Sequence, residues 1–169
     1  MTQDPHDRPN AALYRLLAEA VHGGQAKVDA MIALMQRTVF VVPWPAGADG
    51  YRTLVNSQGV AALPLFTDRD ELETASRRYG WLAPDGSAPA TEMGARQAFH
   101  YALTQSLAFV VVDIAADHCV EIAREEFEPL LSPAARRDSS GPFAGAGRIS
   151  STLMRSVRSG RPTPAPGTV

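Results

Sequence analysis

The stretch Ala62-Leu-Pro-Leu-Phe-Thr-Asp-Arg-Asp-Glu-Leu-Glu-Thr-Ala-Ser-Arg-Arg-Tyr-Gly-Trp81 changes character at Thr67-Asp68. An apolar run ends there and a charged segment of helical spacing begins. Thr67 or Asp68 can cap that helix, and Asp68 with Glu71 three residues on forms a variant capping box. Asp70 and Glu71 suit the positive start of a helix. Leu72, Ala75 and Tyr79 fall on its inward face, and Gly80 suits the left-handed residue that closes it. The junction therefore reads as a strand-to-helix joint. Pro64, which has no N–H for a ladder, implies an edge or a bulge in the strand.

Toward the N-terminus, residues 1–9 are polar and expected to be flexible. Asn10 is placed to cap a helix carrying Leu13, Leu16, Leu17, Ala20 and Val21, which Gly23-Gly24 ends. A second helix runs to about Arg37, with Val28, Met31, Ile32 and Met35 on its inner face. Strands follow at Val39–Trp44, from Tyr51 to about Val55, and from Val60 to Phe66, separated by turns at Asp49-Gly50 and Asn56–Gly59. Beyond the joint, residues 82–90 read as loop and Thr91 to Leu107 as one long helix with Phe99, Ala102 and Leu103 inward. Phe109–Ile114 is a buried strand, and Cys119–Ile122 is a second, reached by the polar turn Ala116-Asp-His118. A last helix spans Arg124 to Leu131. The expected string is helix–helix–β–β–β–α–α–β–β–α. That is an α+β, α/β-like single domain over residues 10–131, a mixed sheet covered by helices.

The order of these pieces resembles the N-terminal domain of the SseB (enhanced serine sensitivity) family over about residues 10–131. The resembling pieces are Asn10-Ala-Ala-Leu13, Val39-Phe-Val-Val-Pro43, Ala62-Leu-Pro-Leu-Phe-Thr-Asp68 with Glu71-Leu72, and Phe109-Val-Val-Val-Asp113 leading to Val120-Glu-Ile-Ala-Arg-Glu125. Where the family tends to have Asn-Pro after the late strand, this chain has Asp113-Ile114. The resemblance implies a small α/β domain with no established catalytic mechanism, so no catalytic residue is carried over.

Charge divides the chain in two. Residues 1–131 hold 10 Lys/Arg against 17 Asp/Glu, whereas residues 132–169 hold 6 Arg against Asp138 alone. An acidic domain is followed by a basic Gly/Ser/Pro/Arg-rich tail expected to be flexible. Such a domain would repel phosphates, which disfavours nucleic acid as a partner. No apolar run approaches the roughly 20 residues of a membrane span. The polar N-terminus lacks the apolar core of a signal peptide, and the single cysteine, Cys119, fits a reducing compartment. A bacterial cytoplasmic protein is expected.

Chemical candidates are sparse. His6, His22, His100 and His118 are not spaced as a zinc pair, and no Walker A sequence or Gly-x-Ser-x-Gly elbow occurs. Gly141-Pro-Phe-Ala-Gly-Ala-Gly147 follows no strand and reads as linker. Trp44 and Trp81 flank loops and read as closing the core. No cofactor, metal or catalytic residue is assigned. A Cys119–His100 dyad could form only through the fold. Asp113, Asp117 and His118 could gather near one strand end for acid–base work or to hold a cation, against the commoner reading as turn residues. In the tail, Ile149, Leu153, Met154 and Val157 fall on one helical stripe, with Arg148, Arg155 and Arg158 largely off it. A short recognition helix over 148–158 follows, its candidate partner-binding residues being Ile149, Leu153, Met154, Arg155, Val157 and Arg158. The expected function is a non-enzymatic protein-binding or regulatory module with a protein partner. The alternative is a small-molecule binder or enzyme using Asp113, His118 and Cys119.

Overall fold

The computed structural model describes residues 10–45 and 48–132, and the backbone of 154–156. Its elements follow the apolar periodicity closely. Helices α1 (Ala11–Ala20) and α2 (Gly24–Met35) form a hairpin closed by Gly23 and Gly24, both at positive φ. Then come β1 (Thr38–Val41), β2 (Leu54–Asn56) and β3 (Ala61–Leu65), followed by α3 (Arg69–Tyr79), β4 (Thr91–Gly94) and α4 (Ala95–Thr104). The chain returns through β5 (Phe109–Val112), β6 (Val120–Ala123) and α5 (Arg124–Leu131), and β7 (Met154–Ser156) joins from the tail.

The main sheet has the order β6-β5-β3-β2-β7. Strands β3 and β5 are parallel, with Leu63 opposite Val110 and Leu65 opposite Val112, and the remaining pairs are antiparallel. Strands β1 and β4 pair separately. Two buried clusters sandwich the main sheet. The larger collects Leu13 and Leu17 of α1, Met31 and Leu34 of α2, Leu63, Leu65, Val110 and Ile122 of the sheet, Phe99 of α4 and Phe127 of α5. The smaller gathers Val42, Leu54, Phe66, Leu72, Ala75 and Trp81 around α3. Alternation along β3 sends Leu65 to one cluster and Phe66 to the other. The result is an α+β domain with a mixed sheet covered by helices, as expected, with helices on both of its faces.

Four expectations change. Thr91–Gly94 is a strand and not the first turn of a helix: Met93 alone of its four residues is buried, and the segment lies along β1 in register Val39↔Met93. Ile32 does not face inward but is 45% exposed, because α2 turns Ala30, Met31 and Leu34 to the core. Asn10 stands before α1 yet makes no side-chain cap; its carboxamide spans Arg37 and the Thr67 carbonyl instead.

Pro64 sits inside the sheet and not at an edge. Ala61 and Leu65 direct their carbonyls to β5, accepting from Ala108 and Asp113, so the even-numbered residues of β3 point the other way. On that side Ala62 pairs with Leu54 of β2, and Phe66 pairs with Phe40 of β1. Pro64 falls in the gap between the two, where no neighbour asks for an N–H.

Candidate functional site

The quoted joint is capped as its sequence requires. Asp68 is extended (φ −147°, ψ 178°) and its Oδ1 accepts from the Glu71 N–H at 2.9 Å. Gly80 closes α3 in the left-handed conformation at φ 69°, and the Trp81 N–H returns to the Ser76 carbonyl at 2.8 Å. Asp68 has a second role that local sequence does not reveal. Its Oδ2 accepts from the Tyr14 hydroxyl, tying α1 to the start of α3. Burial, then that bond, raises the Tyr14 phenol well above its ordinary range, so it stays a donor.

A second carboxylate lies beside the first. Asp113 follows β5, is fully buried, and holds a positive φ of 49°. That conformation is uncommon for a non-glycine residue, though less so for aspartate, and it is favoured where the surroundings fix it. Here they do: Asp113 Oδ1 accepts from the Thr67 N–H at 2.9 Å and Oδ2 from the Thr67 hydroxyl at 2.7 Å. His118 Nε2 stands 3.0 Å from the same Oδ2, and its ring packs on Tyr14 with centroids 4.5 Å apart. Burial alone would lower the His118 imidazolium, but the hydrogen bond and charge of Asp113, with Glu71 and Asp68 behind it, carry it net upward.

Tyr14, Thr67, Asp68, Asp113 and His118 thus form one polar joint at the carboxyl ends of parallel strands β3 and β5. That end of an open α/β sheet is where ligands commonly bind. In this chain the joint is closed by its own bonds. The adjoining cleft is lined by Asn10, Gln36, Arg37, Thr38, Phe40, Thr67 and Asp68, and neither Asp113 nor His118 reaches it.

The sequence candidates separate accordingly. Asp113 and His118 meet, whereas Asp117 is exposed in the turn between them. Cys119 is adjacent but only partly exposed, and burial, followed by Glu121 and Asp113, pushes its thiol up to about 11. A thiol held protonated is a poor nucleophile. His100 lies on the exposed side of α4, in a hollow with Arg96, Gln97 and Tyr101 that Cys119 does not line. Among the described residues no cluster of His, Cys, Asp and Glu could hold a metal ion. Trp81 is buried and stacks on Tyr79 at 5.0 Å, and Trp44 lies beneath the Arg52 guanidinium at 5.3 Å. Thr67 and Tyr14 escaped sequence reasoning as site residues, being 46 and 54 positions from Asp113 and Asp68 respectively. The apolar β3 leading to Thr67 was the only signal.

The tail departs from its expected helix. Met154–Ser156 is a strand, antiparallel to β2 with Leu54↔Ser156, Val55↔Arg155 and Asn56↔Met154 in register. Ile149, Leu153, Val157 and Arg158 lie outside the described residues. Spacing at i, i+4, i+5 and i+8 permits a helix, but eleven residues are too few to hold one without a surface. The surface within reach is a sheet edge, which selects extended backbone.

No described helix is long and apolar enough to cross a membrane. No curated protein and no solved structure matches the chain. A family profile, described as the SseB protein N-terminal domain, matches residues 13–128, from the first buried leucine of α1 to the middle of α5. That span includes both carboxylates of the joint, the whole of β2 and well over half of the chain, and the chain belongs to the SseB N-terminal-domain family.

Proposed function

We propose that the chain is a non-enzymatic protein-binding or regulatory module of a bacterial cytoplasmic system. The observation that carries it is the β2 edge. A strand from outside the family domain lies on that edge in full register, so the domain accepts an extended segment by main-chain pairing. The chemistry of the joint agrees with this reading. Its carboxylates are engaged in holding α1, α3 and the β5–β6 turn together and are not free to attack or protonate a substrate.

Affinity capture from the native cell, using the full chain and the chain lacking residues 132–169 as baits, tests this. A specific polypeptide retained by at least one bait is the expected result. Recovery of nothing beyond background by both baits overturns it.

A second reading rests on one observation, the contact of buried Asp113 with His118. It makes the chain a small-molecule binder or an enzyme using Asp113, His118 and Cys119. Rapid labelling of Cys119 in the folded protein by a thiol reagent would favour that reading over the first. Slow labelling, limited by unfolding, is expected.

A further inference from the structure

We infer that the outer edge of β2 is a strand-docking site for an extended, arginine-bearing segment of another polypeptide, and that the chain's own residues 154–156 hold it closed until that segment displaces them. The inference rests on the protein-binding reading and names its surface, its partner's chemistry and its control.

The geometry begins with which groups point outward. The Asn56 N–H donates inward, to the Val60 carbonyl at 3.0 Å. Alternation then turns the N–H and carbonyl of Val55 outward, and Arg155 stands opposite them in register. The edge is held ready for a ligand. Asn56 Oδ1 accepts from the N–H groups of both Gln58 and Val60, at 3.0 and 2.9 Å, which locks the turn after β2. Leu54 is anchored in the core beneath α3. A pre-organised edge loses little freedom when it pairs.

Unprotected edges are usually blunted by charge, proline or a bulge. Leu54, Val55 and Asn56 carry none of these, so β2 needs a cover and takes one from the tail. Charge selects the kind of cover. The tail from residue 132 on has a net charge of +5 by sequence, 6 Arg against one Asp, and the preceding 131 residues have −7, 10 Lys/Arg against 17 Asp/Glu. A displacing segment must match that basic character to be drawn to the same place.

Another protein is the better occupant than a second copy. A tethered tail acts at an effective concentration of the order of millimolar, which the tail of a second copy at micromolar concentration cannot rival. A foreign segment that pairs over more residues can.

The test uses the full chain and a fluorescein-labelled synthetic peptide of its residues 148–161, followed by anisotropy. Arg155→Pro removes the N–H that faces Val55 and lies outside the family domain, so it frees the edge without touching the core. Peptide affinity should rise at least about tenfold over the wild-type chain, as release from an intramolecular competitor requires. Adding Val55→Pro should return it to the wild-type level or below. Hydrogen exchange of the Val55 amide supplies a readout that does not depend on how the second variant folds. It should be slow in the wild type, fast in Arg155→Pro, and slow again once peptide is added. A peptide with its arginines replaced by glutamate should bind Arg155→Pro at least about tenfold more weakly.

Equal peptide affinity for wild type and Arg155→Pro, or an unchanged Val55 exchange rate, overturns the inference. So does equal binding of the glutamate peptide. A concentration-dependent dimer of the wild-type chain that Val55→Pro abolishes would assign the edge to a second copy and overturn the stated partner. If Arg155→Pro takes up no peptide while the full chain still captures a protein from the cell, the docking edge is wrong and the protein-binding reading survives. If neither occurs, both fall.

Discussion

The polar joint and the β2 edge both complete the sheet, but by opposite means. At the joint, side chains from three distant parts of the sequence converge on two carboxylates, and both bonds from Thr67 to Asp113 are buried. At the edge, pairing is by main chain, over three residues, with a segment from beyond the family domain. Buried polar groups that satisfy one another are costly to separate, because each partner left behind loses its bond and gains no water. Main-chain pairing at an edge can be exchanged, because any extended segment offers the same donors and acceptors. The molecule therefore keeps its rigid chemistry at the joint and its exchangeable pairing at the edge, where the proposed recognition would take place.

The sharpest way to break that contrast is Asp113→Ala. It orphans the buried N–H and hydroxyl of Thr67 and frees His118, and should cost about 3–5 kcal/mol, as for one partner removed from a buried charged pair. Chemical denaturation measures it, and a loss under about 1 kcal/mol would show that the joint is incidental. Asp68→Ala comes next. It removes a helix cap worth about 0.5–2 kcal/mol and the Tyr14 bond, worth about 1 kcal/mol more. A double-mutant cycle with Tyr14→Phe should show the two substitutions to be non-additive, and strict additivity would deny the tie between α1 and α3.

The pH dependence of the joint is smaller and has a definite sign. His118 is raised in the folded state, so protonation favours folding. Its contribution is complete below the ordinary histidine value of about 6.5 and is lost as pH rises through the elevated folded value. The stability gap between wild type and His118→Gln should therefore narrow as pH rises above about 6.5. A gap that widens over that range would refute the pairing with Asp113. The smallest effect belongs to the edge. Deleting residues 132–169 removes, among the described contacts, the β7 pairing with β2 and should shift the thermal midpoint by a few degrees, whereas a fall of tens of degrees would mean that the tail is part of the domain.

Much of this was legible in the sequence where its causes are local. Asp68, Glu71 and Gly80 announce a capped helix because a cap is made within four residues. The runs Phe109–Val112 and Ala61–Leu65 announce buried strands because both faces are apolar. Asp113 and His118 were half legible, as polar residues at one strand end. Their partner Thr67 was not, since a parallel pairing of β3 with β5 across a helix, a strand and another helix brings it there. Thr91–Gly94 looked helical because it runs directly into Ala95–Thr104, and only its neighbour β1 makes it a strand. The tail failed for a related reason. A stripe at helical spacing says which residues could be covered together, and the covering surface decides the backbone.

Pro64 leaves one further mark on the molecule. Because it offers no rung between Ala62 and Phe66, the sheet forks along one side of β3, one arm running to β2 and the other to the β1–β4 ribbon. The two arms are tied again beyond the fork, where the Arg52 N–H donates to the Val42 carbonyl at 2.8 Å and the Trp44 N–H to the Gly50 carbonyl at 3.1 Å. Amide exchange in the native state should then find the amides of Ala62, Phe66 and Phe40 opening together with that of Arg52, as one loop of bonds around Pro64. A segment arriving at the β2 edge would be felt in the ribbon through those bonds, while the proline leaves the closed loop room to flex.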